Sequence, residues 1–331
     1  MRAFKAVQKV QLGQAKKVRF KGKNQFDSLE SKSNKQGIRF IDGRISWSSN
    51  RQKKSKLELD CIVDTDDPVV RHGIEQRVKY CRLVKRKLNT KIRFFVQLVL
   101  EGSTYLKPQF NSPDKEVGLD IGPSTIAHIS DNHVQLEKFC HQLADKQNEI
   151  RILQRKLDRQ RRANNPQNYT EKGEIRKGIK LVWNNSNQYF KTKNRLAEIQ
   201  RKQAAHRKSL HGNLANRILS QGNQVKTEKL SYKSFQRNYG KSVGFRAPSM
   251  LVEMLRRKAE RAGGAVTEIS TFKTKLSQFC HICGEYTKKP LSQRVHKCCD
   301  LSIQRDIYSA FLALSVENDA LDVPAVNNRW Q

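Results

Sequence analysis

Apolar and polar residues alternate over four separate stretches of the first 140 positions, which is the period of a strand with one buried face. Ile38-Arg-Phe-Ile-Asp-Gly-Arg-Ile-Ser-Trp47 makes two short runs around Asp42-Gly43, a dipeptide suited to a tight hairpin turn. Leu57, Leu59 and Cys61 alternate with Glu58 and Asp60, and Ile92, Phe94, Val96, Leu98 and Leu100 repeat the pattern over a longer run. Residues 38–110 therefore predict an antiparallel sheet or small β-barrel with a charged outer face. A basic, weakly patterned segment, 1–37, precedes it and carries Lys16, Lys17, Arg19, Lys21 and Lys23. Ser103 to Lys115, with Pro108 and Pro113, reads as a linker.

The fourth alternating run is Val117, Leu119 and Ile121 against Gly118, Asp120 and Gly122. Gly122-Pro123-Ser124 is turn chemistry, and Asp131-Asn132 separates two further runs, Thr125 to Ser130 and His133 to Phe139. Together they predict a three-stranded meander with a carboxylate on its first strand. The period then becomes helical. Ile150, Leu153 and Leu157 recur on one face until Asn164-Asn165-Pro166, and Leu196, Ile199, Leu210, Leu214 and Ile218 line a second helix from Leu181 to Leu219. Residues 138–220 thus predict a charged helical hairpin. Gln224 to Leu230 predicts a short strand, Ser242 to Ala247 a loop closed by Pro248, and Met250, Leu251, Met254, Leu255 and Ala259 a helix stopped by Gly263-Gly264. A strand over Ala265 to Thr271 and a last helix over Ser302 to Val316 complete an α/β pattern, with a loose tail over 318–331.

Composition changes the picture in one direction. Across 331 residues, 65 Lys and Arg face 31 Asp and Glu, a formal net charge of +34. Self-repulsion on that scale calls for a polyanionic partner, and phosphate contacts by Lys and Arg supply most of such affinity. A membrane is the competing partner, but no run of about 18 apolar residues exists. The opening Met1-Arg-Ala-Phe-Lys-Ala is basic and lacks the apolar core of a secretion signal.

Two constellations carry chemistry. Asp120 on a first strand, Glu228 on a later strand and Asp306 at the border of the last helix's apolar face can meet at one end of a sheet. Three carboxylates suit hard divalent cations such as magnesium, which activate water and steady a leaving oxygen in phosphodiester hydrolysis. Glu198, Glu253 and Glu268 are the rivals of Glu228 for the third place. Four of the seven cysteines fall at 280–299, a clustering that favours metal ligation in a reducing compartment over disulfides. Cys280-His-Ile-Cys283-Gly284 is the first half of a structural zinc knuckle. The second half is irregular: His296 with Cys299 restores the two-residue gap and leaves Cys298 spare, or Cys298 and Cys299 both bind under strain. Cys61, Cys81 and Cys140 lie in apolar segments and predict buried thiols.

VGLDIGPST, KTEKLS, FCHICG and QRDIYSAFLAL, in that order, resemble the TnpB family of transposon-encoded RNA-guided nucleases, often called OrfB transposases and related to the type V CRISPR effectors. The resemblance runs from about residue 20 to 316. It implies an RNase H-like RuvC nuclease domain over 116–279, interrupted by the helical hairpin, and a zinc ribbon for target nucleic acid over 280–300. It further implies a last RuvC helix over 301–317 and a wedge-type barrel before the nuclease domain. By position it implies Asp120, Glu228 and Asp306 as catalytic acids holding Mg2+, and Cys280, Cys283, Cys299 and either His296 or Cys298 as Zn2+ ligands. The partners implied are a guide RNA and a DNA target, met by a monomer at the cytoplasmic nucleoid during transposition and DNA recombination. Two departures stand out: the second cysteine pair is adjacent, and the family's first barrel strand and helical recognition insert have no counterpart, as in an N-terminally shortened chain. That second departure favours, as the alternative, a catalytically silent RNA-guided DNA-binding protein or repressor.

Overall fold

The computed structural model describes residues 2–18, 22, 25–48, 56–89, 91–107, 114–290 and 292–331. The chain divides between Tyr105 and Leu106 into two compact units. Arg19, Lys21 and Lys23 of the basic segment, and both prolines of the linker, lie outside the described residues.

The first unit holds α1 (Arg2–Gln11), β1 (Ser28–Glu30), β2 (Ile38–Ile41), β3 (Arg44–Ser48), β4 (Lys56–Asp60), α2 (Pro68–Ile74), β5 (Arg77–Leu88) and β6 (Lys91–Glu101). The β2–β3 hairpin turns on Asp42 and Gly43, both at positive φ (46° and 75°), as the sequence pattern predicts. The described strands pair as two three-stranded antiparallel sheets, β2-β3-β4 and β1-β5-β6, instead of one closed barrel ladder. Ile38, Ile45 and Cys81 form the buried centre of this unit, and the Cys81 thiol donates to the Ile38 carbonyl at 3.2 Å. α1 and β1 fall inside the segment whose sequence shows no clear period. β1 is exposed along its length, so no apolar face marks it.

The second unit is built on a five-stranded sheet of β7 (Glu116–Ile121), β8 (Thr125–Ser130), β9 (His133–Lys138), β10 (Gln224–Glu228) and β11 (Ala265–Ile269). Its order is β11-β10-β7-β8-β9: β7, β8 and β9 form an antiparallel meander, while β10 pairs parallel to both β7 and β11. The helices are α3 (Gln147–Asn164), α4 (Asn187–Leu219), α5 (Tyr232–Arg246), α6 (Pro248–Arg261), the short α7 (Thr271–Thr274), α8 (Arg305–Leu314) and α9 (Val323–Trp330). β12 (Val295–Cys298) and β13 (Leu301–Gln304) make a hairpin before α8, and β14 (Val316–Glu317) pairs with β15 (Ala320–Leu321) after it.

Side-chain alternation assigns the two faces. Val117, Leu119, Ile121, Ile126 and Val225 pack with Leu214 and Ile218 of α4 and Leu251 and Leu255 of α6. Ala127 and Ile129 pack on the other face with Ala310 and Leu314 of α8. Each fully buried aliphatic side chain contributes about 1.5–3 kcal/mol relative to exposure. α8 approaches β7 so closely that a Cβ on Gly118 would stand 1.9 Å from the Ala310 carbonyl oxygen. Only glycine permits that crossing.

Three expectations are corrected. Residues 242–246 continue α5 and do not form a loop, because Phe245 packs on the core and Arg246 donates to the Phe139 carbonyl at 2.8 Å. The last helix begins at Arg305; Ser302 to Gln304 pair with β12 as a strand. The tail is ordered: Val326 of α9 is buried, and Arg329 binds Glu116 at 2.6 Å. Among the described residues, no helix is long and apolar enough to cross a membrane.

Candidate active site

Asp120 is the penultimate residue of β7. Its neighbours Leu119 and Ile121 point to the α4 face, so its carboxylate points, like Gly118, to the α8 face. β10 pairs with β7 up to Thr227 opposite Leu119, and Glu228 follows at the level of Asp120. Val225 faces α4, and Lys226 reaches the carbonyl of Leu314 at the end of α8 (2.8 Å), so Glu228 shares Asp120's side of the sheet. Asp306 sits in the first turn of α8 and is buried. The Thr125 hydroxyl, on the strand next to β7, donates to Asp306 Oδ2 at 3.1 Å.

The electrostatics register the convergence. The Asp120 carboxyl is held well above the usual range, first by burial, then by the charges of Glu228 and Asp306; Arg305 and Arg294 pull the other way. Burial pushes Glu228 up to about 7. Arg294 Nη1 stands 3.7 Å from Asp306 Oδ2 and Arg305 Nε 3.8 Å from Oδ1, too far for tight pairing. Glu228 and Asp306 both raise the pKa of Asp120, a sign of too little cationic charge around it, and an all-oxygen donor set of this kind fits a hard divalent ion. The rivals of Glu228 are engaged elsewhere. Glu198 pairs with Arg201 at 2.6 Å, while Glu253 and Glu268 share Arg256.

The four thiols of Cys280, Cys283, Cys298 and Cys299 lie within 4.8 Å of one another. Cys283 and Cys298 sulfurs are 3.6 Å apart, and those of Cys298 and Cys299 are 3.9 Å apart. A zinc tetrahedron with bonds of about 2.3 Å has sulfur–sulfur edges of about 3.8 Å. The cluster is compatible with zinc. Adjacent cysteines both reach it because Cys298 ends β12 while Cys299 starts the two-residue hairpin turn in a left-handed conformation (φ 52°). His296 stands outside the group. Its buried ring packs on Tyr308 (centroids 4.6 Å) with Nδ1 2.7 Å from the Lys289 ammonium. The neighbouring thiols push Cys298 up to about 12, Cys283 first, a penalty on thiolates that a bound dication reverses.

Sequence reasoning missed Tyr308. Two residues after Asp306, its hydroxyl accepts from the His281 backbone N–H (3.1 Å) and lies 2.7 Å from the His281 ring Nδ1. This joins the cysteine-bearing segment to the helix that holds a carboxylate. The signal was its place in an otherwise apolar helix face, where a tyrosine needs a buried partner.

Residues 249–312 match the family described as Cas12f1-like, TNB domain. That segment contains α6 from its second residue, all four clustered cysteines and Asp306. The fold is similar to Cas12f1 in the cryo-EM structure of a Cas12f1-sgRNA-target DNA complex. The TM-score is 0.51 at 12% identity, over 91% of this chain and 66% of that one. The fold is Cas12f1-like. This chain spans just under two thirds of that relative's length. A cryo-EM CRISPR-Cas12f ternary complex aligns at a TM-score of 0.37 and 15% identity, over 96% of this chain and 68% of that one. No curated protein matches the sequence.

Proposed function

We propose that this chain is a metal-dependent, RNA-guided DNA endonuclease of the TnpB and Cas12 kind, with a RuvC-type, RNase H-like nuclease domain. One observation carries the reading: carboxylates from the ends of two parallel strands and from the first turn of a helix converge on one face, where the charges of Glu228 and Asp306 both raise the pKa of buried Asp120. In this reading Asp120 and Asp306 hold divalent ions, with the Thr125 hydroxyl fixing the Asp306 carboxylate. Glu228 would orient the attacking water and accept its proton. When bound, magnesium supplies an activated water and neutralises charge on the leaving oxygen. Arg294 and Arg305 bring positive charge to the scissile phosphate. The four cysteines hold a structural zinc ion that fixes the 280–300 segment against α8.

Support for the partners comes from the net charge of +34 and from the likeness to a protein solved with sgRNA and target DNA. Within this reading the guide is transcribed near the gene, and a mobile element is the genetic setting. The test is purification with bound RNA, followed by magnesium-dependent cleavage of matching DNA by the wild type and by Asp120→Ala. Cleavage lost in the variant supports the reading. Cleavage that survives moves the chemistry elsewhere, and RNA-directed binding without cleavage in both proteins makes the chain a silent binder.

A further inference from the structure

On the face of the sheet opposite Asp120, a cleft of about 700 Å3 opens between edge strand β9 and the second half of α4. The register pairs Ile126 with Glu137 and His128 with Gln135, so Gln135 and Glu137 share the face of Ile126, beneath α4. His128 is only 1% exposed. Its Nδ1 lies 3.2 Å from the Gln221 carboxamide oxygen and its Nε2 3.4 Å from Glu137, and its ring stacks on exposed His133 (centroids 5.5 Å, 18°). The floor is thus a built, hydrogen-bonded platform.

Its chemistry narrows the occupant. Arg217 donates twice to Glu137, at 2.7 and 2.8 Å, so the wall's strongest cation is already neutralised and the cleft is no simple anion hole. A metal is disfavoured, because Glu137, the one carboxylate of the lining, is already engaged by Arg217 and His128. What remains available is the outer face of the His133 ring, the carboxamides of Gln135 and Asn213, and the apolar edges of Leu210 and Leu214, with Lys138 at the rim. A flat π-face, paired donor and acceptor edges and a rim cation match a nucleotide, and the volume falls in the range of about 300–1,000 Å3 usual for small-ligand sites.

We propose that this cleft binds a single unpaired nucleotide. The base stacks on His133, Gln135 and Asn213 read its edge, and Lys138 meets its phosphate. The site is on the other face of the sheet from the carboxylates, so the proposal does not depend on the nuclease reading. The nucleotide comes either free from solution or as an extruded residue of an RNA strand.

The experiment titrates the full chain, freed of RNA, with each of the four ribonucleoside monophosphates and with ribose 5-phosphate, followed by calorimetry. The chain carrying its RNA, substituted with 4-thiouridine, is separately photocrosslinked and mapped. At least one nucleotide is expected to bind with a Kd below about 1 mM, and His133→Ala to weaken it about tenfold, the loss of one stacked base. Asn213→Ala, also at an exposed position, is expected to weaken it with unchanged melting temperature. Crosslinks within 133–142 identify the RNA strand as the source; nucleotide binding without them identifies the free pool. No binding and no crosslink, ribose 5-phosphate binding as well as the nucleotides, or undiminished binding in both variants overturns the proposal.

Discussion

Thr125 and Asp306 are 181 residues apart in the chain and joined by a 3.1 Å hydrogen bond from hydroxyl to carboxylate. The bond links β8 to the first turn of α8, and so the meander to the helix that completes the candidate site. Thr125→Val keeps the shape and removes the donor. A neutral-to-charged bond of this kind is worth about 1.5–3 kcal/mol. The expected outcome is a fall of about tenfold or more in the single-turnover cleavage rate, with a small change in melting temperature. An unchanged rate shows that Asp306 needs no such anchor.

Gly118 sets the distance between β7 and α8. A methyl group there meets the Ala310 carbonyl oxygen at 1.9 Å, backbone that no side-chain rotation relieves. Gly118→Ala is expected to destabilise the protein by about 1–3 kcal/mol through overpacking, read from the midpoint of urea unfolding. Because Asp306 moves with α8, cleavage should fall further than stability alone accounts for.

Tyr308 couples the thiol cluster to the same helix. Tyr308→Phe leaves the buried His281 N–H without its acceptor, a loss of about 1–3 kcal/mol. Chelation of zinc should lower the melting temperature of the wild type, and the combined loss in the chelated variant should be smaller than the sum of the two separate losses. Strict additivity of the two effects would mean that the cluster and α8 are not coupled.

The sheet was legible where polar and apolar residues alternate along a strand, even where both faces are covered. Val117, Leu119 and Ile121 face α4 and leave Asp120 on the opposite side, so the alternation located the carboxylate before any fold was known. Asp42-Gly43 was legible because only two positive φ angles close that hairpin. The remainder hinges on contacts distant in sequence. Residues 242–246 look like a loop, with glycines at 240 and 244, yet Arg207 of α4 donates to the carbonyls of Gly244 and Phe245 and holds the helix end. The tail lacks a long apolar run, but Trp330 packs on Phe311 and His281, and Arg329 on Glu116, partners that no local pattern reveals. For adjacent Cys298 and Cys299 the sequence left open which joins the cluster, and the hairpin register, with its different backbone conformations at the two, brings both thiols to it.

His211 supplies a prediction that is independent of any metal. Its fully buried ring stacks on Phe139 (centroids 5.3 Å, 14°), and its pKa is pushed down to about 4, first by burial and then by Arg207. The unfolded chain, with an ordinary imidazole near 6.5, therefore binds more protons than the folded one between pH 6.5 and 4. This group's contribution is full above pH 6.5 and is lost as pH falls through that window, by at most about 3 kcal/mol. Glu228, raised to about 7, acts in the opposite sense over pH 4.5 to 7 in the metal-free protein, so the raw pH profile mixes the two. Comparison with His211→Phe separates them, since the variant keeps the stack and loses the titration. The difference in unfolding free energy, wild type minus variant, is expected to fall steadily from pH 7 to pH 4. A difference that is flat across that range would mean the imidazole titrates normally in the folded protein.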